Sequence, residues 1–122
     1  MGSGCPGVEQ ACDLAKRLFD KAVHQYGFGA GQIFFDPVAV PLVKDEPTLA
    51  GGRGRTYSAF ETIRRLRTDS STHRSHCLLR IDTAAGELPG RAIGVCRAYV
   101  AKAMEYGLDA GIVNISHHYG TV

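Results

Sequence analysis

The sequence has no apolar run approaching the ~20 residues that cross a bilayer, so a membrane span is excluded at the outset. It has no marked excess of one charge. Fourteen Lys and Arg stand against twelve Asp and Glu, and a net charge of +2 gives no whole-chain reason to expect a nucleic-acid partner. Its four cysteines, Cys5, Cys12, Cys77 and Cys96, include no C-x-x-C pair and no zinc-type spacing, so no metal site is expected. Free, mostly buried thiols in a reducing compartment are the reading that remains. The opening "MGSGCPG" lacks a basic region followed by an apolar block, so no secretory signal is read and a cytoplasmic protein is expected.

What is present fits one globular unit. The 122 residues and an apolar fraction of 44% suffice for a single core, and nothing in the chain reads as a linker between domains. Val8, Ala11, Cys12, Ala15, Leu18, Phe19, Ala22 and Tyr26 recur at steps of three and four, which predicts a helix with one apolar stripe ending at Gly27. "QIFFDP" follows. Ile33, Phe34 and Phe35 do not alternate, as expected of a strand of about four residues buried on both faces, and Pro37 limits its length.

The segment "VAVPLVKDEPTLAGGRGR", rich in proline and glycine, predicts a long connection. Tyr57, Phe60, Ile63 and Leu66 then mark a helix from Thr56 to Arg67, whose arginines, with Arg53 and Arg55, read as a solvated outer face, with an anion or partner-docking surface as the alternative. "HCLLRI" predicts a second buried strand. Ile93, Cys96, Tyr99 or Val100, and Ala103 mark a third helix closed by Gly107, and "DAGIVN" a third strand. Alternating helices and apolar strands specify an α/β fold with a parallel sheet joined by right-handed crossovers. Three strands are few for such a sheet, since they leave two edges and a face uncovered. The expectation is therefore part of a larger (β/α) fold.

In such folds ligands sit at the carboxyl ends of the strands. Each predicted strand ends in a polar group there: Asp36 after "IFF", Asp82 and Thr83 after "LLRI", and Asn114 after "GIV". Any one of them could serve only as a turn or cap; three at the same end of a sheet favour a binding mouth. His73 and His76 precede the second strand, so they fall at the opposite end and are expected to face solvent. The pair His117 and His118 reads as surface loop, and "GGRGR" lacks the spacing of a phosphate-binding loop.

"IFFDPVAVPL" and "ELPGRAIGVCRAYVAKAMEYGLDAGIVN", at their spacing, resemble the C-terminal part of the pterin-binding barrel of methyltetrahydrofolate:corrinoid methyltransferases. That family includes the folate-binding module of cobalamin-dependent methionine synthase. The resemblance covers nearly the whole chain, and "L-P-x-R" ahead of "A-M-E-x-G-L-D-A-x-I-V-N" is its most specific element. It implies a partial (β/α)8 TIM barrel, the C-terminal portion of a barrel like that of dihydropteroate synthase, with residues 1–122 forming a single partial pterin-binding domain.

The resemblance also implies roles. Asp36 matches the aspartate that accepts two neighbouring N–H groups of the pterin, Arg91 an arginine lining the pterin pocket, and Asn114 sits where a ligand contact is expected. Methyltetrahydrofolate would be the substrate, and a corrinoid carried by a partner protein the acceptor. The family's "S-N" pair, whose asparagine stabilises N5 as the methyl group leaves, falls on Asp82 and Thr83. A threonine hydroxyl donates one hydrogen bond but is shorter than a carboxamide. The implied catalytic positions are thus Thr83 and Asp82, and the chain by itself is expected to be inactive, needing a second copy or a separate chain to supply the missing strands. Two other readings stay open: an enzyme like dihydropteroate synthase, against which stands the absence of an "S-R-K"-like motif after the second strand, and a non-catalytic pterin-binding or interaction module.

Overall fold

A computed structural model describes residues 6–45, 54–86, 88 and 93–114. Helix α1 (Pro6–Asp20) leads through a π-helical turn (Lys21–Gln25) and a short 3-10 turn (Ala30–Gln32) to strand β1 (Phe34–Phe35). Helix α2 (Gly54–Thr68) connects β1 to β2 (His76–Arg80). A single helical turn, α3 (Ile81–Ala84), and helix α4 (Ile93–Tyr106) then lead to β3 (Ala110–Ile112). The protein is α/β, with a three-stranded parallel sheet in the order β1-β2-β3. Among the described residues no helix is long and apolar enough to cross a membrane.

This order dictates where the helices go. Successive right-handed crossovers between adjacent strands place their helices on the same face of the sheet. Val8, Cys12 and Ala15 of α1, Phe60, Ile63 and Leu66 of α2, and Cys96, Tyr99 and Ala103 of α4 accordingly bury together against Cys77 and Leu79. Helix α1 lies against α2, and α2 against α4, so the helix layer runs in the same sequence as the strands. Phe19 of α1 meets Phe35 with ring centroids 6.5 Å apart.

The other face is open, which corrects the expectation of strands buried on both sides. Along β2, Cys77 and Leu79 are buried, His76 and Leu78 half-buried, and Arg80 exposed. The period of two is that of a strand covered on one face only. Phe34 is 51% exposed and Ile112 45% exposed. The strands are also shorter than the apolar runs: β1 has two residues rather than four, and Ile81 leaves the ladder to begin α3, with its side chain buried. Of the expected stripe, Val8, Cys12, Ala15 and Phe19 are buried, whereas Leu18 of α1 and Tyr26, beyond the π-helical turn, are 56% and 65% exposed.

Helix ends are set by local chemistry. The Asp45 carboxylate accepts the backbone N–H groups of Arg55 (2.8 Å) and Thr56 (2.9 Å), capping α2 from the far side of the loop. Burial pushes this carboxyl up, but those hydrogen bonds and Arg55 outweigh it and hold it below its ordinary value. Gly107 ends α4 with φ of +114°, where an added Cβ would lie 2.8 Å from Cγ of Arg67.

Candidate functional site

The carboxyl ends of the strands hold four of the five residues singled out above. Asp36 directly follows β1. With Phe34 on the open face and Phe35 packed toward α1, continued alternation puts the exposed Asp36 carboxylate on the open side. Among the described residues it makes no hydrogen bond or ion pair. Phe35 pairs with Cys77, so Asp36 stands level with Leu78, roughly 7 Å short of the end of β2 at ~3.3 Å per strand residue.

Asp82 and Thr83 sit on α3, whose buried Ile81 and Ala84 anchor the turn beneath α4. Asp82 is turned toward its own segment: Oδ1 accepts the Thr83 N–H at 2.8 Å, and Oδ2 lies 3.3 Å from Nη2 of Arg80. The Thr83 hydroxyl, half-buried, takes no partner among the described residues. Asn114 lies two residues beyond Ile112, which pairs with Arg80, so Asn114 and Asp82 leave the sheet at the same level. It is exposed and shares its strand face with Ile112. Arg91, and likewise Arg53, His117 and His118, lie outside the described residues.

Sequence reasoning missed Arg80. It ends the central strand on the open face, with its side chain 52% exposed. The signal was available: in "HCLLR" the period of two that buries Cys77 and Leu79 sends His76, Leu78 and Arg80 to the other side.

At the opposite end of the sheet lies a denser polar cluster that the sequence did not disclose. Asp109 accepts the Cys77 N–H on Oδ1 (2.9 Å), while Oδ2 meets His76 Nδ1 at 2.6 Å and Arg67 Nη1 at 3.4 Å. Burial pushes the Asp109 carboxyl up, but His76, the Cys77 N–H and Arg67 together hold it below its ordinary range. Arg67 also donates to the Ser75 carbonyl. His76 is therefore not a solvent-facing loop residue: it is half-buried in β2, and its ring stacks on Phe34 at 4.6 Å. His73 is exposed, as expected.

The arginines of α2 are likewise not a simple solvated face. Buried Glu61 accepts hydrogen bonds from Arg64 Nε (2.8 Å) and Arg65 Nε (3.1 Å). Arg64 is the main cause that lowers its carboxyl to about 2, against the opposing effect of burial and with further help from Arg65.

The Cys77 thiol and the Tyr99 phenol of the core stay protonated at neutral pH. Burial pushes the Cys77 thiol up to about 12 and the Tyr99 phenol likewise to about 12. Cys12, Cys77 and Cys96 are buried free thiols. Among the described residues no group of three or more His, Cys, Asp or Glu could hold a metal ion.

The arrangement at the carboxyl ends offers a carboxylate unengaged among the described residues, a strand-end guanidinium and short polar side chains over an apolar face. That set can orient a ligand carrying N–H donors. Among the described residues it has no pair of groups placed for proton relay, since the Asp82 carboxylate is committed to Arg80 and Thr83. No protein-family model matches the chain, and none of the curated proteins matches it.

Proposed function

We propose that the chain is a pterin-binding portion of a (β/α)8 barrel, similar to that of methyltetrahydrofolate:corrinoid methyltransferases, which holds the pterin end of a folate and does not by itself transfer the methyl group. The observation that carries this reading is Asp36. A carboxylate that makes no hydrogen bond or ion pair among the described residues, on the uncovered face just past Phe35, is suited to accept two adjacent N–H donors of an aminopyrimidine edge. The one-sided helix layer and sequential strand order support the barrel part, because in such a barrel every helix lies outside and the open face turns inward.

The described residues fit the two ends of methyltetrahydrofolate unequally. Asp36 fits the pterin edge. At the methyl-bearing end the resemblance calls for a carboxamide reaching N5, and this chain offers the shorter Thr83 hydroxyl beside an Asp82 already held by Arg80. Nothing on α3 replaces the missing reach, so the corrinoid partner, if engaged, would receive no methyl group from this chain alone. Calorimetric titration with methyltetrahydrofolate tests the binding: heat of binding for the wild type that disappears in Asp36→Ala supports the pterin site, and no binding to the wild type overturns it. Methyl transfer from methyltetrahydrofolate to a free corrinoid, detected by the cobalt absorption spectrum, would overturn the catalytic part.

A further inference from the structure

The layer of three β/α units has two different ends, and both are unfinished. At one end β1 pairs only with β2, and at the other β3 pairs only with β2, among the described residues. Free edges on a parallel sheet are ready-made templates for another strand. The helix layer ends in the same two places. Beside β1, helix α1 exposes Leu14 (53%) and Leu18 (56%), flanked by Arg17, Asp20 and Lys21. Beside β3, helix α4 and the strand enclose an apolar groove of about 570 Å³ lined by Arg97, Val100, Ala101, Met104 and Val113.

We infer that these two ends are the two halves of one interface, so that the α4/β3 end of one copy receives the α1/β1 end of a second copy of this chain. The joint repeats one that the chain makes twice already. Within a single copy, β1 to β2 and β2 to β3 are both parallel pairings, and α1 to α2 and α2 to α4 are the matching helix contacts. Setting β1 of the next copy beside β3 continues the ladder in the same direction, and the same step brings its α1 against α4.

The exposed apolar surfaces of the two ends agree with this step, Leu14 and Leu18 on one and the apolar α4/β3 groove on the other. The step also shelters Met104 (62% exposed) and Val113 (50% exposed). Such an interface is heterologous: different surfaces meet, so copies close into a ring if the rotation permits and otherwise extend. The inference stands on topology and does not depend on the pterin reading.

The heterologous character gives the test. Light scattering coupled to size exclusion, over a wide dilution series of the full chain, is expected to show the wild type as a concentration-dependent assembly. Leu18→Glu and Ala101→Glu each place a charge at one end only, on exposed helix positions, and circular dichroism checks that both stay folded. Each variant alone is expected to be monomeric. An equimolar mixture is expected to recover a dimer with one chain of each kind, because each still carries one intact end. A wild type that stays monomeric at every concentration overturns the proposal. So does either variant that still assembles alone, as a symmetric two-fold contact would allow, or a mixture that remains monomeric.

Discussion

The two ends of the sheet are built on different plans. At the amino end a single carboxylate, Asp109, gathers a histidine, an arginine and a backbone N–H from β2 and α2, and the buried Thr72 and Ser75 hydroxyls are bonded to the carbonyls of Leu66 and Thr72. At the carboxyl end Asp82 reaches only its near neighbours in sequence, and Asp36 reaches nothing among the described residues. Cross-element bonds at one end fasten the secondary structure together. Polar groups at the other leave hydrogen-bonding capacity unused among the described residues and fasten no two elements together. The difference teaches which substitutions to read as folding defects and which, on the proposed function, as binding defects.

The largest effect is expected at Gly107. Alanine there adds backbone strain of about 1–3 kcal/mol at a positive φ. It also displaces Arg67 from Asp109 and Ser75, about 1 kcal/mol more on the scale of a lost hydrogen bond. Urea titration should show the lowered midpoint. Next comes Asp109→Ala, which strands the Cys77 N–H, Arg67 and His76 at a partly buried site and should cost about 1.5–3 kcal/mol in the same assay.

A smaller, graded effect is expected from acid. Glu61 is lowered from 4.5 to about 2 by Arg64 and Arg65, so its contribution is complete above pH 4.5 and is lost as pH falls toward 2. Asp109 and Asp69 are depressed too, Asp69 chiefly by Lys16, and act in the same direction. Thermal melts from pH 5 down to 2 should show a falling midpoint, and Glu61→Gln should flatten that fall while lowering the plateau. The smallest effects are expected at the carboxyl end. Asp36→Ala and Asp82→Ala should leave stability within about 0.5 kcal/mol of wild type. If Asp82→Ala were as damaging as Asp109→Ala, the contrast between the two ends would collapse.

Much of the architecture was legible in the sequence. Helical spacing located α1, α2 and α4 because each carries a stripe of residues that must leave water, and Gly107 marked the end of α4 as a glycine should. The carboxyl-end residues were found from strand order alone, since a parallel sheet puts every strand end on one side. Three things were not legible. "IFF" and "CLLRI" read as strands buried twice over, because a short apolar run looks the same whether one face or both are covered. His76 was set in solvent because its partner, Asp109, lies 33 residues away, and no local pattern announces so distant a pairing. The arginines of α2 were set on a solvated face, although Glu61 in their midst collects Arg64 and Arg65, and Asp109 takes Arg67.

The placement of Cys77 has a practical consequence. Its sulfur lies at the centre of the sheet, wholly covered by the helix layer, and with Cys12 and Cys96 it makes a set of three interior thiols. A thiol pushed up to about 12 offers almost no thiolate at neutral pH, and one without access offers no target to an alkylating reagent. Modification then has to wait for the helices to part from the strands. The labelling rate of Cys77, followed by mass spectrometry, is therefore a clock for that opening, and it gives the free energy holding the two layers together without denaturant.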